Sequence, residues 1–394
     1  PKRLIALIEI LIIIYIIVNI YMIYYYYRKP MGIFSPVYVI AFMSLGQILP
    51  QLTTIYYLPH VYNPSILYNL LITMISCNLA FMIGYERKVT LKSNKILDIK
   101  SSWIKPLIIL FAPGSLIFDL IMSASHAGIK TATDGVIAFQ FQALGYISLI
   151  LTLMYLRENK LTLWLVGCLI LSTLPILHYA FGIYGSRLST FTVALLYAYL
   201  LAIKFPNRYN LIKKIFTIFF IVGCIGSLSI SEIRTNMGKD SQNSISDINF
   251  IKNIKKSFTG GSYNERAGMD LGNAALGIDY CFQKNEYNYG SFIWNGFVFN
   301  YIPKRLVGEN IKTSLIIPFE ADKYIQALTN GITCTTGYYD AFSAFSWFGF
   351  FVFYFLARIF AWIRKRGSYS TLYMTLFFYM LANSTVGVTH GLQL

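Results

Sequence analysis

Charged side chains are scarce in this sequence of 394 residues: only 13% are Asp, Glu, Lys or Arg, whereas 56% are hydrophobic. The mean hydropathy is +0.55. Cysteine and histidine are also few, with five and four residues, and their spacing shows neither a CxxC pair nor a metal-binding pattern. These absences argue against an ordinary soluble domain and give no sign of a metal or redox centre, so we predict no cofactor.

Uninterrupted apolar runs of about 20 residues recur along the chain, which is the length needed to cross a bilayer. The sequence therefore predicts an all-α integral membrane protein with about ten transmembrane helices. The first run is too long for the apolar part of a signal peptide, and we expect it to be a retained helix. The predicted spans are 4–27, 31–52, 66–84, 103–124, 136–156, 161–182, 187–204, 215–231, 338–360 and 369–388.

Basic residues lie on one side of these spans. The connections 28–30, 85–105, 157–160, 204–214 and 361–368 contain 17 Lys and Arg residues, whereas the short opposite connections 53–65, 125–135 and 183–186 contain only Lys130. The positive-inside rule places the first group in the cytoplasm. The net charge of +16 therefore orients the chain in the membrane, and we predict no nucleic-acid partner.

One long connection divides the chain into three parts. Residues 1–231 contain the first eight helices, and 338–394 contain the last two. Residues 232–337, with 11 basic and 10 acidic side chains, form a predicted external loop that is too rich in apolar residues to be disordered. Within it, we predict a basic interfacial helix over 244–258 and a re-entrant or interfacial segment over 291–303.

Polar side chains inside the spans are concentrated in the predicted external half. Because polar groups in hydrocarbon need a partner or water, this one-sided set predicts a wet cavity that opens outward. Asn19 and Asn78 are exceptions in the inner half, and Arg358 is expected to snorkel to the cytoplasm. The external set is Glu9, Gln47, Gln51, Asp119, Gln140, Gln142, His178, Arg187, Asp340 and Asn383.

Arginines surround the mouth of this predicted cavity. A guanidinium presents a flat fork of donors that suits phosphate oxygens, and a helix N-terminus adds backbone donors. Each arginine could instead have a structural role and form an ion pair with a neighbouring acid. This alternative is least favoured for Arg187, because no acidic residue lies near it in sequence. We therefore predict that Arg187 binds an anion, and we expect this anion to be a lipid-linked phosphate. The four arginines are Arg187, Arg234, Arg266 and Arg305.

Three motifs occur in order along the chain. "YGSRLS" (184–189) opens a helix, "YNYGSFIWNGFVFNYIPKR" (287–305) lies in the long loop, and "TTGYYDAFSAFSWFGFF" (335–351) leads into the next helix. In these motifs and their placement, the chain resembles the O-antigen and capsule oligosaccharide repeat-unit polymerases (Wzy type) over most of residues 1–390. The resemblance implies a multi-helix (GT-C-like) glycosyltransferase in the bacterial cytoplasmic (inner) membrane, with the long loop periplasmic.

The resemblance also implies the reaction and the partners. A growing glycan would move from one polyprenyl-diphosphate carrier to the sugar of a second carrier-linked repeat unit. The partners would be polyprenyl-diphosphate-linked oligosaccharide and membrane lipid, and a chain-length regulator protein is a further candidate. The arginines of "GSR" and "IPKR" correspond to Arg187 and Arg305, and the arginine that ends the helix before the loop corresponds to Arg234; Arg266 matches only loosely.

The predicted chemistry uses cations in place of a metal. The first external loop, 53–65, contains no acidic residue, so arginines would stabilise the diphosphate leaving group. The sequence does not decide which residue is the general base; the candidates are Glu232, Glu265, Asp119, His178 and Asp340. The predicted catalytic set is Arg187, Arg234, Arg266, Glu265 and Glu232. The predicted substrate-binding set is Arg305, Lys304, Asp340, His178, Asp119 and Tyr263, of which Tyr263 could stack on a sugar ring.

Two other functions fit parts of the sequence. An O-antigen ligase shares the architecture, but such ligases carry a histidine in the large external loop, and residues 232–337 contain none. A flippase or transporter of lipid-linked oligosaccharide would also need outward arginines, but it should have a cavity that reaches the inner half and no large folded loop.

The charge asymmetry predicts the accessibility of the connections. Cysteines introduced within 240–260 should react with a membrane-impermeant thiol reagent added outside intact cells, whereas cysteines within 90–100 should react only after permeabilisation. The opposite labelling pattern would overturn both the orientation and the site argument that depends on it.

Overall fold

The computed structural model describes residues 2–59, 61–90, 101–125, 135–178, 187–227, 270–302, 304–328 and 335–390. Within them, the regular secondary structure is entirely helical. Five helical stretches are long and apolar enough to cross a membrane: Arg3–Arg28, Pro36–Tyr56, Pro64–Glu86, Ser102–Leu120 and Gly337–Gly367. The all-helical prediction is therefore confirmed for the described residues, and these stretches support the membrane-spanning character.

The α-helices are numbered in chain order within the described residues. Those before the long connection are α1 (Lys2–Arg28), α2 (Pro36–Met43), α3 (Leu49–Tyr56), α4 (Pro64–Glu86), α5 (Ser101–Ser125), α6 (Gly135–Glu158), α7 (Leu163–His178), α8 (Arg187–Lys204) and α9 (Tyr209–Ser227). The later ones are α10 (Asp270–Lys284), α11 (Ser291–Tyr301), α12 (Lys304–Val307), α13 (Glu309–Leu315), α14 (Glu320–Leu328), α15 (Gly337–Phe345), α16 (Phe350–Gly367) and α17 (Thr371–His390). The predicted interfacial helix at 244–258 lies outside the described residues.

The predicted span 31–52 is not one regular helix. Ser35 caps α2, because its hydroxyl oxygen accepts a hydrogen bond from the N–H of Tyr38 (3.2 Å). Pro50 has no N–H to donate to the preceding turn, and the chain forms a π-helical turn over Ser44–Ile48 immediately before α3. The π turn therefore interrupts the α-helical pattern of the predicted span, but the whole stretch Pro36–Tyr56 is still long and apolar enough to cross a membrane.

A buried polar network joins four parts of the bundle. The amide nitrogen of Asn78 in α4 donates to the side-chain oxygen of Asn19 in α1 (3.0 Å) and to the hydroxyl of Ser44 in the π turn (3.2 Å). The hydroxyl of Tyr338 in α15 donates to the amide oxygen of Asn78 (3.0 Å). All four side chains are fully buried. The two asparagines that stood out in the predicted inner half therefore bind each other rather than water or lipid.

A helical hairpin breaks the predicted ninth span, 338–360. α15 ends at Phe345, and Ser346 has a φ of 55° and a ψ of −135°, which cannot continue a helix. The chain then returns as α16, so that the rings of Tyr338 and Phe353 stack with centroids 5.5 Å apart and an interplanar angle of 3°. α15 thus runs beside the first half of α16 in the opposite direction. The apolar stretch Gly337–Gly367 therefore contains a reversal, and the predicted single helix over 338–360 is corrected to α15 followed by α16.

Gly349 permits the close approach of the two arms of this hairpin. A Cβ atom at this position would overlap the carbonyl group of Ala341 and lie 2.9 Å from the backbone nitrogen of Phe342. Because the obstacle is backbone rather than a flexible side chain, only glycine fits without moving the hairpin.

Cations of α16 cap the C-terminal end of α4. The guanidinium of Arg358 donates to the carbonyl oxygens of Gly84 (3.3 Å) and Arg87, and the ammonium of Lys365 donates to that of Val89. Carbonyls at a helix C-terminus lack partners within the helix, so these bonds satisfy them and hold α16 against α4. Arg358 therefore has protein carbonyls as partners at the end of α4, and its snorkelling to the cytoplasm stays a prediction. We call the part of the bundle formed by 28–29, 85–89 and 358–366 the basic end.

Replacing Gly349 by alanine should destabilise the protein by about 1–3 kcal/mol, because the hairpin would be overpacked. Gly167→Ala in α7 is the matched control, since no atom lies within 4 Å of the position of its Cβ. There, alanine should be neutral or stabilise by up to about 1 kcal/mol through its higher helix propensity. Thermal unfolding of the purified variants in detergent measures both effects, and equal melting temperatures would contradict the hairpin.

Candidate functional site

Many of the predicted site residues fall beyond the described part of the chain. Arg187 begins α8 and Arg305 lies in α12, but their side chains are not among those described. The others are Glu232, Arg234, Tyr263, Glu265 and Arg266, which lie outside the described residues altogether. The roles assigned to these seven residues stay predictions.

Asp119 and His178 are brought together although 59 positions separate them in sequence. The Nδ1 atom of His178, at the end of α7, lies 2.8 Å from Oδ2 of Asp119 in α5. The Asp119 side chain is 12% exposed and the His178 side chain 44%, so the carboxylate is enclosed and the imidazole ring is accessible. In the tautomer that carries its proton on Nδ1, this N–H donates a hydrogen bond to the Asp119 carboxylate. Nε2 then has a free lone pair that can accept a proton from a substrate. The pair has the arrangement of an oriented general base.

A small apolar cluster holds the helices that carry this pair. Ile108 of α5 packs with Leu151 of α6 and Cys168 of α7 in a core separate from that of the main bundle. The hydroxyls of Ser148 in α6 and Ser172 in α7 lie 2.8 Å apart and form a buried hydrogen bond. The relative positions of α5 and α7 are therefore fixed by packing, and with them the Asp119–His178 contact.

The start of α8 lies at the same end of the bundle as this pair. His178 is the last residue of α7 and Arg187 the first of α8, and the two helices pack against each other. The first N–H groups of a helix have no acceptor within it, and the helix dipole places partial positive charge there. A proton acceptor and a helix end that favours anions thus lie on consecutive helices.

Two predicted substrate-binding residues, Asp340 and Lys304, lie in other elements than the Asp119–His178 pair. Asp340 lies in the first turn of α15, is only 9% exposed and belongs to the hairpin. Lys304 begins α12, and its ammonium forms an ion pair with the carboxylate of Glu309 at 2.6 Å. A substrate phosphate at Lys304 would therefore compete with an existing partner.

The helix α10 is a feature that sequence analysis missed. It packs among α3, α4, α14 and α15, and the N–H of Leu271 in its first turn donates to Oε1 of Gln51 (3.0 Å). Gly277 lies so close to the ring of Tyr339 that a Cβ there would be 2.7 Å from Cδ2. Gln51, predicted as part of a polar cavity, is thus a cap for α10. The small residues of "LGNAALG" (271–277) were the available signal for this packing.

Two carboxylates in or near α10, those of Asp322 and Asp279, were also given no role in the sequence analysis. The hydroxyl of Tyr339 donates to Oδ1 of Asp322 (2.6 Å) and ties α14 to the hairpin. Burial raises the pKa of the Asp279 carboxyl, although a hydrogen bond from Gln283 (2.7 Å) opposes the shift. Isolated acids in a long loop form no sequence pattern, so only the contacts show which of them are buried or bonded.

Comparison with known proteins gives no match to a family model, a curated protein sequence or a solved structure. Within the described ranges, no three His, Cys, Asp or Glu side chains form a group that could hold a metal ion. The class defined so far is an all-helical protein with stretches able to span a membrane.

Proposed function

We propose that this protein is an oligosaccharide repeat-unit polymerase at the outer face of the bacterial cytoplasmic membrane. It transfers a growing glycan from polyprenyl diphosphate to the sugar of another polyprenyl-diphosphate-linked repeat unit. The observation that carries the proposal is the Asp119–His178 pair beside the start of α8, which combines a base with a helix end that favours anions. The three ordered motifs supply the substrate class.

In the proposed reaction, Nε2 of His178 accepts the proton of the acceptor hydroxyl, while Asp119 stabilises the resulting imidazolium. The acceptor oxygen forms a bond to the anomeric carbon of the growing glycan, and the bond from that carbon to the diphosphate oxygen breaks. The leaving polyprenyl diphosphate carries the bonding electrons away as negative charge. Arg187 and Arg234 stabilise that charge through charge-assisted hydrogen bonds.

The buried network favours a polymerase over a flippase. A flippase needs polar groups that line a path through the inner half of the bundle. The polar side chains of Asn19 and Asn78, predicted for that half, bond to each other and to Ser44 and are fully buried. These bonds hold the helices together, and the side chains that form them are not available to line a path for a sugar.

Deletion of the gene, followed by electrophoresis of the surface polysaccharide, tests the proposed function. A polymerase mutant retains ligation and export, so the ladder of long chains should collapse to a single repeat unit attached to its acceptor. Loss of all attached repeat units would indicate a ligase or a flippase and would contradict the proposal. Restoration of the ladder by the wild-type gene on a plasmid is the control.

His178→Gln should slow chain extension about 100-fold or more, because general-base catalysis contributes about 10²–10⁴-fold. Asp119→Asn should be impaired less, and the double variant should be no worse than His178→Gln, since the two residues act as a unit. Leu174→Ala, also in α7, is the control and should keep a nearly normal ladder, because the Leu174 side chain is 49% exposed and is not part of the packing that holds the pair. Ladder length at equal protein abundance is the measurement, and a normal ladder for His178→Gln would remove the pair from the site.

A further inference from the structure

A groove between α4 and α16 opens on the surface near the basic end. Its volume is about 670 Å³, within the range of about 300–1,000 Å³ that is usual for ligand sites. Met82 and Ile83 of α4 and Phe351 of α16 form part of its apolar wall. Glu86, Arg87 and Tyr354 also line it and give the groove a polar end. A ligand that fills it must combine an apolar chain with a polar group.

The polar end presents the guanidinium of Arg87, which is permanently charged. Glu86 is engaged elsewhere: its carboxylate forms an ion pair with the ammonium of Lys29 (2.6 Å) and accepts a hydrogen bond from Tyr26. The Nη1 atom of Arg87 donates to the hydroxyl of Tyr354 (2.8 Å). In the described part of the chain, Arg87 has no carboxylate within ion-pairing distance.

Arg87 and Tyr354 are arranged to bind a phosphate. The hydroxyl of Tyr354 accepts a hydrogen bond from Arg87 and still has its own proton to donate. The guanidinium has further N–H groups beyond Nη1, and its fork suits phosphate oxygens. Two neighbouring groups can therefore donate to one phosphate at the polar end of the groove.

The surrounding charge selects an anionic ligand. Arg358 and Lys365 lie at the end of α4 next to Arg87, where they donate to backbone carbonyls and keep their positive charge. Glu86, the acid in the groove, is already paired with Lys29. A headgroup that carried its own ammonium would add a cation to this cluster, whereas one with only a phosphate charge would not.

We propose that this groove binds an anionic phospholipid of the membrane leaflet at the basic end. The phosphate contacts Arg87 and the hydroxyl of Tyr354, and an acyl chain lies along Met82, Ile83 and Phe351. The apolar wall distinguishes this ligand from a free phosphate. From Leu79 to Arg87 the wall follows α4 for about 12 Å, which only a chain attached to the phosphate would use. The residues that line the groove come from α4 and α16 and their ends, whereas Asp119 and His178 lie on α5 and α7, so the site does not depend on the proposed reaction.

Native mass spectrometry of the full-length protein in detergent tests the phosphate contact. With added phosphatidylglycerol, the wild type should retain one lipid more tightly than with phosphatidylcholine. Arg87→Gln should weaken retention of phosphatidylglycerol about tenfold or more, because it loses hydrogen bonds from a charged donor. Lys160→Gln is the matched control, since Lys160 is exposed and does not line the groove. Equal weakening by both variants would overturn the proposal in favour of a general attraction between opposite charges.

A second variant tests the apolar wall. Ile83→Trp should fill the groove and lower retention of phosphatidylglycerol, whereas Leu110→Trp on α5 should not; the two original residues are 61% and 66% exposed. Unchanged retention by Ile83→Trp would contradict the proposed acyl-chain position. Displacement of the bound lipid by excess inorganic phosphate would assign the polar end to a free anion and overturn the lipid proposal.

Discussion

The four-way hydrogen-bonded joint of Asn19, Ser44, Asn78 and Tyr338 sets the arrangement of the bundle. Each group is fully buried in an apolar interior, where a polar group left without a partner costs about 1–3 kcal/mol. The joint is satisfied only when α1, the π turn, α4 and α15 are all in place. It therefore specifies one packing of elements that apolar contacts alone would leave free to slide.

The joint also explains why the hairpin can exist inside the bundle. A helix that stops and reverses leaves backbone groups without regular partners, which hydrocarbon does not tolerate unless protein surrounds them. Tyr338 anchors the start of α15 to α4, and Gly349 lets α16 return against it. The hairpin then supports α10 through the contact of Gly277 with Tyr339. The loop helices are thus joined to the bundle through protein contacts.

The sequence predicts those parts of the structure that depend on local composition. Apolar length and one-sided basic residues predict helices such as α1 and α4 to within a few residues. The hairpin was missed because "SAFSWFGFF" is apolar on both sides of Ser346, and only the backbone torsion shows the reversal. Asp119 and His178 were both named as base candidates, but their contact depends on the packing of α5 against α7, which no local pattern encodes.

The proposed function requires that the protein itself forms glycosidic bonds between lipid-linked repeat units. The most direct measurement uses the purified protein in liposomes that contain only polyprenyl-diphosphate-linked repeat units, with EDTA present. A polymerase should give a ladder of lipid-linked products and release one polyprenyl diphosphate for each unit added. Passage of the lipid-linked substrate across the liposome membrane without any chain extension would contradict it.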